Sequence, residues 1–159
     1  MSGFTLSSPT FTGNLPKAHV YHDFGAGGDN KSPELKWSGA PEGTKSFLII
    51  LHDTDAPGPG GWWHWCAFDI PAGTTSLAEN ASASGMPDGT VQVSNSYGSK
   101  GFGGACPPPG DPAHPYLLTI YALKTESLGL DENVSPAMAL FVADEHVIGK
   151  TGITGYYAR

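Results

Sequence analysis

Between residues 51 and 70 the chain reads LHDTDAPGPGGWWHWCAFDI, which gathers Asp53, Asp55, His52, His64, Trp62, Trp63 and Trp65 around a Pro/Gly turn. A second such stretch, SNSYGSKGFGGACPPPGDPAHP at 94–115, holds five glycines and five prolines and delivers His114 just before Tyr116. Each of His64 and His114 follows a Gly/Pro loop and leads an apolar run. If those runs are neighbouring strands, both imidazoles reach one rim, where a rigid scaffold presents polar groups for function. A carboxylate beside a histidine fixes its tautomer and favours its protonated form. Glycine-rich backbone at 103–110 turns N–H groups inward and makes an anion nest. Two cationic histidines and a nest suit an anion the size of phosphate. Asp53 would orient a histidine or meet an ammonium group, so a zwitterionic head group fits better than bare phosphate. Trp62, Trp63, Phe102 and Tyr116 would wall an alkyl or ammonium moiety. Asp55 is read as part of an Asx-turn, and the tryptophans other than Trp62 as core in preference to wall. His19, His22, His52 and His146 carry no pattern.

The same residues admit other chemistry. Asp53, Asp55, His64 and His114 offer N and O ligands, but their spacing matches no zinc signature, so neither metal nor cofactor is expected. Hydrolysis by an Asp–His pair needs a nucleophile, and no GxSxG elbow is present. Cys66, two residues from His64 on the same strand face, and Cys106 in the Gly/Pro loop leave a thiol- or His/Asp-dependent hydrolase as the third reading. Two cysteines make no disulfide framework, and both are expected reduced.

Composition narrows the partners. The 159 residues carry a net charge of −7 and a pI near 5.1, which argues against a nucleic-acid surface and against electrostatic attraction to anionic membranes. The only arginine is Arg159, so an anion site is expected to use histidine, backbone N–H groups or one of the seven lysines. No run is long enough to span a membrane. The opening MSGFTLSSPTF shows neither a basic region nor a continuous apolar one, so a cytoplasmic location is expected, or a periplasmic one if an export signal was trimmed.

The elements that must position these residues are mainly strands. Twenty-two glycines and 14 prolines exclude a helical bundle and point to one β-rich domain over residues 1–159. Short strands are expected around Phe4 and Leu6, at 18–21, at 34–37 and at 90–93. Residues 46–51 form a continuous apolar strand covered on both faces. Strict alternation through 63–70 puts His64, Cys66, Phe68 and Ile70 on one face and Trp63, Trp65 and Ala67 on the other. Residues 71–89 read as a long polar connection. YLLTIYAL at 116–123 is a strong strand. Ser135 as N-cap and Pro136 at the first helical position open a helix that runs over 137–148 and ends at Gly149. A last strand covers 150–159.

Four segments carry a family resemblance: SPELKWSGAPEGTKSF at 32–47, DTDAP with GWWHW over 53–65, GFGGACPPPGDPAHPY at 101–116 with LLTIYAL after it, and the closing ITGYYAR. They span most of the chain, and the two central motifs are highly specific in this order. The sequence resembles the phosphatidylethanolamine-binding protein family, also called the Raf-kinase-inhibitor-protein family, in its bacterial YbhB/YbcL-like branch. The resemblance implies a large antiparallel sheet packed with a smaller sheet, with one or two short helices at the edge. It implies a pocket for phosphate-like anions and phospholipid head groups, built from Asp53, Ala56, Pro57, His64, Gly104, Cys106, Pro107, Pro108, His114 and Tyr116. It further implies a small phosphorylated or zwitterionic ligand, a kinase or protease as protein target, a homodimer, and no common catalytic activity. A surface-acting inhibitor with a vestigial pocket is the alternative. Thr54 stands where the family motif has Pro, which should loosen the turn, and Pro115 replaces a basic or polar residue beside His114. Nothing matches the C-terminal helix of animal members, so a more open pocket is expected.

Overall fold

The computed structural model describes residues 3–159; the first two residues of the export-signal reading lie outside the described residues. In chain order the elements are β1 (Thr5–Ser7), β2 (Gly13–Asn14), a 3₁₀ turn (Lys17–His19), β3 (Leu35–Ser38), β4 (Ser46–Asp53), β5 (Trp62–Pro71), β6 (Ser76–Leu77), α1 (Ala81–Ser84), β7 (Val91–Gln92), β8 (His114–Leu123), α2 (Pro136–Ala143), a second 3₁₀ turn (Asp144–His146) and β9 (Val147–Tyr157). Six strands form one sheet in the order β2-β9-β8-β4-β5-β7, and β1-β3-β6 form a smaller one. Within the described pairings only β2 and β9 run parallel. This is the mainly β architecture of two sheets and short helices that the sequence implied.

The continuous apolar run of β4 follows from cover on both faces. Phe47, Ile49 and Leu51 join Phe4, Leu6, Leu35 and Trp37 of the small-sheet side in one core cluster. Leu48 and Ile50 point the other way, into a second cluster completed by Ala139 and Ala143 of α2. Those two alanines, one turn apart, let α2 lie close on the sheet. The Ser135 hydroxyl accepts the Met138 N–H at 3.1 Å, as an N-cap should.

Several local expectations change. Residues 18–21 form the 3₁₀ turn and a single parallel bridge, Val20 to Ala105, rather than a strand. The connection over 71–89 contains β6 and α1. The helix stops at Ala143, because residues 147–149 pair with β8. Met138 and Phe141 on α2 are 48% and 79% exposed.

Alternation along β5 fails at two places. Trp63 lies opposite His52 and Trp65 opposite Leu51, so His64 is an extra residue between them; Ala67 lies opposite Ile49 and Ile70 opposite Phe47, so a second bulge spans 68–69. Asp69 takes φ 58° there, and its carboxylate accepts from the Ser127 hydroxyl (2.7 Å) and the Leu128 N–H (2.9 Å). Each bulge switches the face taken by the residues after it. Cys66 and Phe68 therefore point into the α2-side cluster, while Ile70 joins Trp65 and Ala67 between the sheets. His64 does not share a face with Cys66: its ring meets Tyr116 edge-on at 5.2 Å, on the pocket side.

Candidate functional site

β5 and β8 are not neighbours, as the sequence reading required; β4 runs between them. The result is nevertheless one rim, because β4 ends there in Asp53, β5 begins there and β8 starts there with His114. A pocket of about 330 Å³ opens at this rim. Asp53, Ala56, Pro57, His64, Cys106, Pro107, Pro108, His114 and Tyr116 all line it, nine of the ten residues expected. Gly104 does not. It stands behind the wall, where a Cβ would come within 2.6 Å of the His19 carbonyl oxygen, so glycine is needed there for close approach of two chain segments.

Asp53 organises the floor. Its Oδ1 accepts the Asp55 N–H at 2.9 Å, so Asp53 supplies the carboxylate of the Asx-turn. Its Oδ2 accepts from His114 Nδ1 at 2.6 Å. His114 Nε2 donates in turn to Asp111 at 3.0 Å. An imidazole that donates from both nitrogens to carboxylates is an imidazolium. Desolvation alone would lower the His114 pKa, but the bonds to Asp53 and Asp111 outweigh it and raise the pKa above its ordinary value. The turn after β4 carries further contacts besides the Asp53 bond: His52 Nε2 donates to the Gly60 carbonyl at 2.6 Å and the ring stacks flat on Trp63 at 3.9 Å. Gly61 closes the turn at φ 70°, with the Asp53 carbonyl oxygen 2.3 Å from where a Cβ would sit.

His64 is the opposite of His114. Its Nδ1–H donates to the Gly103 carbonyl at 2.8 Å. Burial pushes its pKa down to about 4 against the help of that carbonyl, so the ring is neutral at physiological pH, not the second cation expected. The expected nest is also absent as such. Gly103 N–H donates to the His64 carbonyl, Gly104 N–H to Asn30 Oδ1 at 2.7 Å, and Ala105 N–H to the His19 carbonyl; three prolines follow at 107–109. The positive charge comes instead from Arg159, which the sequence reading had set aside. Its Nε donates to the Pro107 carbonyl (2.7 Å) and its Nη1 to the Phe24 carbonyl (3.0 Å), and the side chain forms part of the pocket wall. Lysines do not line the pocket.

The walls are aromatic, but not with the set foreseen. Trp62 and Tyr116 are there, joined by Tyr97 and Phe24. Tyr97 stacks on Tyr21 at 3.7 Å and donates its hydroxyl to the Gly104 carbonyl at 2.7 Å. Trp63 leaves to stack on His52, and Phe102 packs edge-on against Trp65 in the core. Tyr97 falls in the 94–115 stretch and Arg159 closes ITGYYAR, but neither they nor Phe24 carry a local sign of a pocket role; a basic residue among carbonyls of two loops leaves no periodic signal. Buried Tyr116 Oη and Trp62 Nε1 have no hydrogen-bond partner among the described residues. Groups of metal-ligating side chains are likewise not found among them. Cys66 points away from the pocket, and burial pushes its thiol up to about 12, which removes it from the hydrolase reading. Cys106 lines the pocket, with its thiol also raised, first by desolvation.

Two sheets sharing one core and an Asp–His rim beside a Gly/Pro loop define a known class. The model of the phosphatidylethanolamine-binding protein family matches residues 7–158, and the chain belongs to that family. Within it, the chain is similar to two Escherichia coli proteins of the UPF0098 group. It is 45% identical to YbcL over 146 residues, covering 90% of this chain and 80% of YbcL, and 40% identical to YbhB over 146 residues, covering 91% and 92%. The crystal structure of E. coli YbcL, described as a member of the mammalian PEBP family, matches with a TM-score of 0.96 at 42% identity over 99% of both chains.

Proposed function

We propose that this protein is a non-enzymatic binder of small phosphate-type anions, of the phosphate or phospholipid head-group class, with a regulatory or inhibitory role. The observation that carries the reading is the pairing, in one aromatic-walled pocket, of an imidazolium locked between Asp53 and Asp111 with a guanidinium at Arg159. Arg159 uses two N–H groups on carbonyls and retains three for a ligand. Tyr116 O–H and the Trp62 indole N–H are further donors whose burial without partners favours a bound acceptor.

Calorimetric titration with phosphoethanolamine and with inorganic phosphate tests this. Saturable heat is expected, and Arg159→Ala should weaken binding roughly 10- to 100-fold, the value of a charge-assisted hydrogen bond. The Asp53–His114 pair is untouched in that variant. Absence of heat with either ligand would move the reading to inhibition of a kinase or protease through surface contacts, for which exposed Met138 and Phe141 are the candidates.

A further inference from the structure

Helix α2 reads PAMALFVA, eight residues without a polar side chain. A helix that is apolar on every side is ordinarily covered on every side. This one is covered on one side. Ala139 and Ala143 are fully buried in the cluster on the outer face of the large sheet, whereas Met138 and Phe141 stand outward, 48% and 79% exposed. Three residues apart, those two form one ridge along the helix. Packing of α2 does not require them, since the alanines make the contact below. The ridge is bordered by acids. Glu126, Asp131, Glu132, Asp144 and Glu145 are all exposed, and no lysine or arginine falls between 126 and 145; Lys124 stands just outside that stretch. Lys100 is paired with Glu132 at 2.8 Å and His146 with Glu145 at 3.4 Å, which leaves Glu126, Asp131 and Asp144 without an ion pair among the described residues.

We infer that the outer ridge of α2 docks a basic amphipathic helix of a partner protein, with the partner's apolar stripe on Met138 and Phe141 and its lysines or arginines beside Asp131 and Asp144. This surface is separate from the anion pocket and stands whether or not the pocket binds an anion. Charge selects the occupant. A second copy would bring the same acids together, and an anionic membrane would be repelled by them. Strand addition is not open to α2, whose backbone is helical and bonds within itself, so side chains must carry the recognition. Side chains three residues apart make a ridge that fits the groove between rows of a facing helix. Two anchors on a helix of eight residues make a small contact, so the complex belongs with the weak and transient ones.

The test is fluorescence anisotropy of a labelled peptide of about 18 residues, long enough to be helical, with leucine on one face and lysine on the other, beside its leucine–glutamate twin. At about 0.15 M salt the lysine peptide is expected to bind at least about tenfold more tightly than the twin. Phe141→Ser should weaken it about tenfold or more. Asp131→Asn combined with Asp144→Asn should weaken it about threefold and flatten its salt dependence. These side chains are exposed, so the variants are expected to keep the urea midpoint of the parent within error. Tyr156→Ser, at a 44% exposed aromatic residue on β9, controls for general stickiness and should leave binding unchanged. The inference is overturned if the lysine peptide does not bind, if its twin binds as well, if Phe141→Ser or the double variant changes nothing, or if Tyr156→Ser weakens binding as much. Dimerisation in sedimentation velocity that Phe141→Ser abolishes would also overturn it, by giving the ridge to a second copy. Phe141-dependent pelleting with phosphatidylcholine vesicles would overturn it in favour of a lipid surface.

Discussion

His64 and His114 share a pocket and carry opposite charge states, and the difference is legible only in their partners. His64 gives one N–H to a carbonyl in a dry setting; His114 gives two to carboxylates. The consequence for stability has two signs. The folded pKa of His64, about 4, lies below the ordinary 6.5, so the unfolded chain binds more protons between those values. Stability from this group is complete above pH 6.5 and falls as pH drops toward 4, by on the order of 3 kcal/mol. His114, with a raised pKa, contributes stability that is complete below 6.5 and lost as pH rises through its folded value. Urea midpoints from pH 4.5 to 7.5 should show a shallower acid limb in His64→Gln than in the parent; parallel limbs would mean that His64 is not buried neutral. At this scale the sequence, through its resemblance to a family, named ten residues of which nine line the pocket. It did not reveal which imidazole is charged, nor Arg159, because both depend on carbonyls and carboxylates distant in the chain.

At the scale of elements, β5 is the instructive case. Its residues read as a period of two, yet two inserted residues turn the strand over twice. One insertion aims His64 at the pocket and the other returns Ile70 to the core between the sheets. Neither leaves a mark in a pattern of apolar residues, since Trp, Cys, Ala and Phe suit either face. Asp69 is the one residue that could have hinted at it, being polar in an apolar strand. Its positive φ and its two bonds to 127–128 make a specific prediction. Asp69→Val should cost about 3 kcal/mol in chemical denaturation, combining backbone strain with lost hydrogen bonds, and Asp69→Asn about 1. Equal costs for the two would show that the bulge places no conformational demand on the residue. The strong run at 46–51 became β4 because cover on both faces leaves an unmistakable apolar signature, and the run at 116–123 became β8 with one face buried and the other partly open. The strand expected at 18–21 did not hold and the connection at 71–89 proved to contain β6 and α1, because isolated bridges, two-residue strands and single-turn helices depend on tertiary partners. The end of α2 shifted for a related reason: pairing of 147–149 with β8 outweighs continuation of the helix.

For the molecule as a whole, the net charge of −7 means that the anion binding proposed above would have to be local, at a pocket where two cations meet two carboxylates. Long-range electrostatics oppose approach to an anionic surface, and no helix among the described residues is long and apolar enough to cross a membrane. Co-sedimentation with phosphatidylserine vesicles at low salt is therefore expected to recover the protein in the supernatant. Pelleting that salt reverses would reveal a basic patch that the charge balance hides. Arg159 also has a practical meaning for anyone handling the protein. Its carbonyl accepts the Gly110 N–H at 3.0 Å while its side chain spans two loops at the pocket mouth. A bulky label carried on the side chain of an Arg159→Cys variant would therefore sit at the mouth of the pocket, where it would read out and obstruct the same event.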